Sequence, residues 1–128
     1  MSPMTIAQAL AQIDALSPNA FTAADKLRWL SEAEGLVVSE ILRTHEGADA
    51  LTFADYDETT DLQTPLLVPP PYDGLYRFYV EAQMDYVNGE TARCNNARGE
   101  WNNAFAVYQA FYNRNYRPLS AQQTLRIC

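Results

Sequence analysis

Apolar residues recur at helical spacing through most of the chain, with one long interval that follows no helical period. Residues 5–16 carry Ile6, Ala9, Leu10, Ile13 and Leu16 on one stripe, which predicts a short amphipathic helix. Thr5 and Gln8 stand three apart at its start, the spacing of a capping box, and Ser17-Pro18-Asn19 ends it. Thr22 is the next cap, with Asp25 in a favourable first turn. From there to about residue 44, Leu27, Leu30, Val37, Ile41 and Leu42 keep a period near 3.6, with Glu32, Glu34 and Glu40 as the wetter positions. Gly35 weakens the middle of this second helix by about 1 kcal/mol against alanine and suggests a close crossing or a bend. A third helix is expected over residues 72–87, burying Leu75, Phe78 or Tyr79, Ala82 and Tyr86, with Asn88-Gly89 as its stop. The fourth, over residues 90–116, begins polar and turns aromatic. Trp101, Phe105, Tyr108 and Tyr112 share a stripe, Phe111 flanks it, and Pro118 limits it. Of 15 aromatic residues, 11 fall between Tyr72 and Tyr116, so this last helix pair is expected to supply most of the core.

The interval at residues 46–71 is of another kind. It holds Glu46, Asp49, Asp55, Asp57, Glu58 and Asp61 and no basic residue. Leu51-Thr52-Phe53 and Leu66-Leu67-Val68 are short runs suited to extended chain, and Pro69-Pro70-Pro71 predicts a polyproline-type end. Two packed helices need only a few linking residues, so a connection this long is expected to have a job of its own. Its apolar runs imply docking, on its own helices or on a neighbouring molecule. The expected fold is all-α: a single domain over residues 1–128, a four-helix bundle with a long acidic, partly extended loop between helices 2 and 3. Residues 117–128 form a short C-terminal tail.

At 128 residues and 14.4 kDa the chain fits one domain with a core of its own. Hydrophobic residues make up 48% and charged residues 20%, which separates it from disordered chains. No apolar run is long enough to span a membrane, and the first residues, MSPMTIAQAL, lack the pattern of a signal peptide. The net charge of −7 is unevenly spread. Residues 1–90 hold 15 acids and 4 bases, a balance of 4 − 15 = −11, and residues 91–128 hold 5 bases and one acid, 5 − 1 = +4. Such polarity suits head-to-tail contact between copies, or two unlike partners. Overall acidity counts against a broad duplex-binding face. Cys94 and Cys128 lie in no CxxC and near no histidine, so reduced thiols in a bacterial cytoplasm are expected rather than a zinc site.

Catalytic chemistry finds little foothold. The single histidine, His45, sits at the predicted end of the second helix, where the helix dipole favours it structurally. Asp55, Asp57, Glu58 and Asp61 lack the glycine turn and closing glutamate of a calcium loop. No GxxxxGK[ST], GxSxG or GxGxxG occurs. The aromatic stripe has no interleaved arginines, so packing is preferred over base stacking. Tyr72, Tyr76, Tyr79, Tyr108, Tyr112 and Tyr116 exceed what a small bundle readily buries with satisfied hydroxyls, and partly exposed tyrosines are typical of contact surfaces. No enzyme activity, metal or cofactor is expected.

The segment LLVPPPYDGLYRFYVEAQMDYVNGE, with FYNRNYRP downstream and KLRWLSEAEG and THEGAD upstream, resembles a family of small proteins of tailed phages and prophages, and through it the head–tail connector, or adaptor, proteins. These blocks sample residues 26–118. The resemblance implies a helical fold with a long loop and copies assembled in a ring, twelve-fold by analogy, at the virion's head–tail junction after synthesis in the host cytoplasm. It implies contacts with the portal protein on one side and a stopper or tail-completion protein on the other, DNA only passing through the channel, no membrane, and no catalysis. It carries over no catalytic residues, and contact residues are placed by region. In the loop these are Asp55, Tyr56, Asp57, Glu58, Asp61, Leu66 and Leu67, expected to reach a neighbour or the next ring. In the last stretch they are Arg114, Tyr116, Arg117, Leu119, Leu125, Arg126 and Ile127, expected to dock on the portal. The alternatives are a stopper or tail-completion protein of the same neck, or a helical DNA-recognition factor of the packaging machinery.

Overall fold

A computed structural model describes residues 2–48 and 50–119. Four α-helices follow in order: α1 (Ile6–Leu16), α2 (Ala23–Glu40), α3 (Leu75–Val87) and α4 (Thr91–Asn115), with a 3-10 turn at Leu42–Thr44 after α2. Among the described residues there are no strands, only two isolated antiparallel bridges, Thr5 with Pro65 and His45 with Pro118. The all-α, four-helix architecture is therefore as the periodicity predicts. Its predicted second helix is shorter in fact, because its last residues tighten into the 3-10 turn.

Local chemistry explains the helix ends. Thr5 and Gln8 form the full capping box of α1, and Thr22 accepts from the Asp25 amide at the start of α2. At the end of α3, Gly89 takes φ +73. The Glu90 amide then bonds the Asp85 carbonyl at 2.9 Å, and the Gly89 amide bonds that of Tyr86 at 3.2 Å. This double closure is a Schellman motif. It turns the chain straight into α4, so α3 and α4 pack as an antiparallel hairpin. With 25 residues, α4 is about 37 Å long and runs far past the 13-residue α3. Its second half crosses Tyr72 and ends against His45, at the far end of α2.

The core departs from the aromatic expectation. Ile6, Ile13, Leu30, Ile41, Val68, Leu75, Tyr76 and Val80 are all fully buried. From α4 only Cys94, Ala97 and Tyr108 are buried, while Trp101, Phe105, Phe111 and Tyr112 are half-buried against the core. The reason is geometric. An outer helix presents one stripe inward, and large rings on it reach the core with their tips while their flanks stay wet. Along α3 the buried set is Leu75, Tyr76, Val80, Ala82 and Met84, whereas Tyr86 is 67% exposed. The inward stripe is thus rotated from the predicted one, which took Tyr86 as core and passed over Tyr76.

The acidic interval does not stand away from the molecule. Leu66 and Val68 insert into the core, and Phe53 packs beside Gly35, whose missing Cβ would sit 4.0 Å from its ring. Gly35 therefore faces the loop rather than a helix crossing. The three prolines do not form a continuous polyproline segment. The Pro70–Pro71 bond is cis, and the Tyr72 amide closes a turn onto the Pro69 carbonyl at 2.9 Å.

Two glycines with open surroundings should respond in opposite directions to alanine. At Gly89 the left-handed φ is required, and Gly89→Ala is expected to lower stability by about 1 kcal/mol. Gly99 lies within α4 with nothing within 4 Å of an added Cβ, and Gly99→Ala is expected to raise stability by ~0.5–1 kcal/mol. Urea unfolding midpoints of the two variants test the pair.

Candidate functional site

The interval between α2 and α3 holds the molecule together through one buried carboxylate. Positions 27, 30, 34 and 37 fall on one face of α2, continued by its C-cap Ile41, and the third of them is Glu34 rather than an aliphatic residue. It has no solvent exposure, contrary to its expected place among the wetter positions. Its Oε1 accepts the Tyr76 hydroxyl at 2.6 Å. Its Oε2 accepts the Tyr56 hydroxyl and the Leu67 amide, both at 3.0 Å. The Tyr76 oxygen in turn accepts the Val68 amide at 2.9 Å. One side chain on α2 thereby fastens two points of the loop and, through Tyr76, α3.

Burial pushes the Glu34 carboxyl above its ordinary range, and the hydrogen bonds from Tyr76, Leu67 and Tyr56 oppose the shift. The same burial, with the carboxylate close by, raises the Tyr76 and Tyr56 phenols well above theirs. Tyr79 is pushed up to about 12 by burial and by its hydrogen bond to Glu32 at 2.9 Å. The tyrosines expected to be surplus to the core therefore divide. Tyr76 and Tyr108 are buried, Tyr72, Tyr79 and Tyr112 are half-buried, and Tyr116 is half exposed.

A second set of bonds fixes the loop to α1. The Ile6 amide bonds the Thr64 carbonyl at 3.0 Å, the Ala7 amide bonds that of Leu62 at 2.9 Å, and the Leu66 amide bonds that of Met4 at 2.8 Å. The first amides of a helix have no partner within it, so the loop completes the cap of α1. Among the predicted contact residues, Leu66 is thus a core residue and Tyr56 a fastening residue. Asp55, Asp57, Glu58 and Asp61 remain exposed, and Leu67 is 41% exposed although its amide is bound. Asp57 and Asp61 organise tight turns, through the Thr59 amide at 2.8 Å and the Gln63 amide at 2.9 Å. Hydrogen bonds from Thr59 hold the Asp57 carboxyl below its usual range.

The opposite end of α2 is closed by His45, 1% exposed. Its Nδ1–H donates to the Ile41 carbonyl at 2.7 Å, its Nε2 faces the Asn113 side-chain amide at 2.7 Å, and its ring meets Tyr112 edge-on. Beside it the Glu46 amide bonds the Arg117 carbonyl at 2.9 Å, and the Leu119 amide bonds that of Thr44 at 2.8 Å. Arg114, Tyr116, Arg117 and Leu119 are exposed here. Leu125, Arg126 and Ile127 lie outside the described residues.

Two surface hollows complete the picture. One, of ≈ 550 Å³, runs between the α1–α2 link and the α3–α4 hairpin, with Ser17, Glu81, Asp85 and Arg93 in its walls. Glu81 is engaged there by the Ser17 hydroxyl and by Arg77, and burial raises the Asp85 carboxyl while Arg93 opposes the shift. The other, of ≈ 360 Å³, lies between α1, the start of α2 and the loop, with Leu10, Leu27 and Leu62 as apolar lining and Asp57 and Glu58 at its edge. Among the described residues no three histidine, cysteine or carboxylate side chains gather as metal ligands would, and no helix is long and apolar enough to cross a membrane. No protein-family model matches the chain, nor does any curated protein or solved structure.

The Glu34 fastening has a pH signature. With its pKa raised in the folded state, the folded protein holds the Glu34 proton more tightly than the unfolded chain. Stability from this group accordingly falls as pH rises from its ordinary value of 4.5 through the folded pKa, then levels off. Asp14, lowered by its hydrogen bond to Lys26, acts oppositely, losing stability below its ordinary range. The wild-type curve minus that of Glu34→Gln isolates the first contribution, and urea midpoints between pH 4 and 8 should show a difference that declines with rising pH.

Proposed function

We propose that the protein is a structural component of a phage neck, an adaptor whose copies form a ring between the portal and a stopper or tail-completion protein. The segment resemblance over residues 26–118 motivates the reading. The geometric observation that carries it furthest is polarity. The fastened loop presents Asp57 and Glu58 near the start of α2, with Asp55 beside Ser31 and Asp61 in the turn before the α1 cap, and Arg114 and Arg117 stand exposed at the other end of α2, near His45. A ring requires heterologous contact, in which one face of each subunit meets a different face of the next. An edge of four carboxylates at one end and an arginine pair, with Arg43 beside it, at the other give the two unlike surfaces that such a contact uses, and apposed acidic edges would repel a wrong register.

In this reading the loop works as part of the subunit body. Because the α1 amides and Glu34 consume its polar groups, its acidic outer edge is held in a fixed shape, which favours repeated docking at low entropic cost. An acidic wall beside a channel would also avoid gripping phosphate.

The expected outcome in an infected or induced host is that the protein co-purifies with finished particles, labels the head–tail junction in electron micrographs, and binds portal rings. Particles lacking it should accumulate as filled or leaking heads without tails. Duplex binding with a steep salt dependence, together with absence from finished particles, would instead assign it to DNA packaging.

A further inference from the structure

We propose that the apolar hollow between α1, the start of α2 and the loop receives the C-terminal segment of a second copy of this chain, with Leu125 and Ile127 in the hollow and Arg126 at its acidic edge. The contact goes beyond the neck reading and stands whether or not the assembly belongs to a phage.

Shape and charge select the occupant. Leu10, Leu27 and Leu62 line the hollow, and Leu62 is left 44% exposed, an apolar surface that the described residues leave open. Asp57 and Glu58 edge it, while Arg28, the one basic residue in the lining, is engaged by Asp25 at 3.6 Å. The occupant best suited is a short apolar segment carrying positive charge. From Trp101 to Cys128 the chain has no acidic residue, and the run Thr124-Leu125-Arg126-Ile127 sets two aliphatic residues on either side of an arginine.

Reach assigns that segment to another molecule. The described chain leaves the body at Leu119, whose amide is bound to the Thr44 carbonyl. The hollow is at the other end of α2, at Ala23, Ala24 and Leu27. The helical rise from Leu27 to Glu40 and the turn to Thr44 together separate these points by about 26 Å. The six residues from Leu119 to Leu125 span at most ~22 Å when fully straight, and the eight to Ile127 at most ~29 Å, which leaves only about 3 Å for the longer path around the surface. Leu125 therefore falls short of its own hollow, whereas the hollow of a neighbour set head-to-tail is open to it. Such a contact repeats in one direction, and it closes into a ring or runs on as a filament.

A fluorescein-labelled peptide of residues 117–128, titrated into the full-length protein and followed by anisotropy, tests the contact. Saturable binding in the range of about 10–100 μM is expected, weakening several-fold when salt is raised past the screening of surface charge. Leu62→Glu in the protein, or Leu125→Glu in the peptide, should each weaken it by roughly tenfold or more. Circular dichroism melts of the protein variant separate lost binding from lost folding, and Glu58→Lys, at an exposed edge, gives a second variant in which the fold is not at stake. The absence of saturable binding up to about 1 mM, or binding indifferent to both protein variants, overturns the proposal. Binding by full-length Leu125→Glu protein but not by wild type also overturns it, because the tail would then be filling its own hollow. Head-to-tail geometry makes one more demand: mixing full-length Leu62→Glu with full-length Leu125→Glu should stop at a heterodimer, with one intact hollow and one intact tail between them. Larger species in that mixture would refute the one-way contact.

Discussion

A single carboxylate without a cation organises this molecule. Glu34 is withdrawn from water and satisfied only by two phenols and one backbone amide. Burying a charge in this way is costly unless every lone pair is occupied. The donors come from three separate places in the chain: Tyr56 and Leu67 in the loop, and Tyr76 in α3. Loss of any one leaves the others bonded to a less satisfied group, so the arrangement favours one seating of the loop over its alternatives. Aliphatic packing through Leu66 and Val68 supplies attraction without direction, and Glu34 supplies the direction.

The loop in turn does what a fifth helix would do in a larger protein. It packs on α2 beside α3 at Glu34, supplies carbonyls to the exposed start of α1, and buries Leu66 and Val68, the Val68 amide bonded to the Tyr76 hydroxyl. A helix there would spend all but its last four carbonyls within itself, so only its final turn could have capped α1. Extended chain keeps its carbonyls available, which gives a physical reason for a connection this long and this irregular. The acidic residues left over point outward and have no share in the core.

Much of the helical layout was legible from spacing alone, because Thr5 with Gln8, Thr22 with Asp25, and Asn88-Gly89 are chemical signals that act over three or four residues. The loop's docking was anticipated only as one of two options, since short apolar runs announce burial without naming the surface. Glu34 was misread for a general reason. A glutamate on a helix is ordinarily a solvated residue, and its partners lie 22, 33 and 42 residues away, beyond any local pattern. A signal was nevertheless present: position 34 completes the series 27, 30, 34, 37, 41, so a polar residue there interrupts an otherwise apolar stripe. The same series with a tyrosine-rich partner helix invites the inference of a buried acid bonded to phenols. Tyr76 and Tyr86 illustrate a related limit. They are ten residues apart on one helix, and only the crossing of α3 over α2 decides which one turns inward.

Placement of the chain's two ends follows from how α4 is held. Asn95, Asn96, Gly99, Asn102 and Asn103 make poor helix formers of its exposed face, so propensity does not maintain 25 residues of helix. Side-chain packing does. Cys94 and Ala97 are buried against α3, Trp101 meets Tyr79 edge-on with Phe105 packed on Trp101, and Tyr108 and Phe111 close on Tyr72. His45 then takes Tyr112 and Asn113 at the last turn. Because His45 belongs to the end of α2, the final turn of α4 is pinned to the pole opposite the Glu34-fastened loop edge. The short bridge between residues 44–46 and 117–119 continues that hold into the tail. Arg114 and Arg117 are therefore kept apart from Asp57 and Glu58 by the rigid length of α2, not by sequence distance.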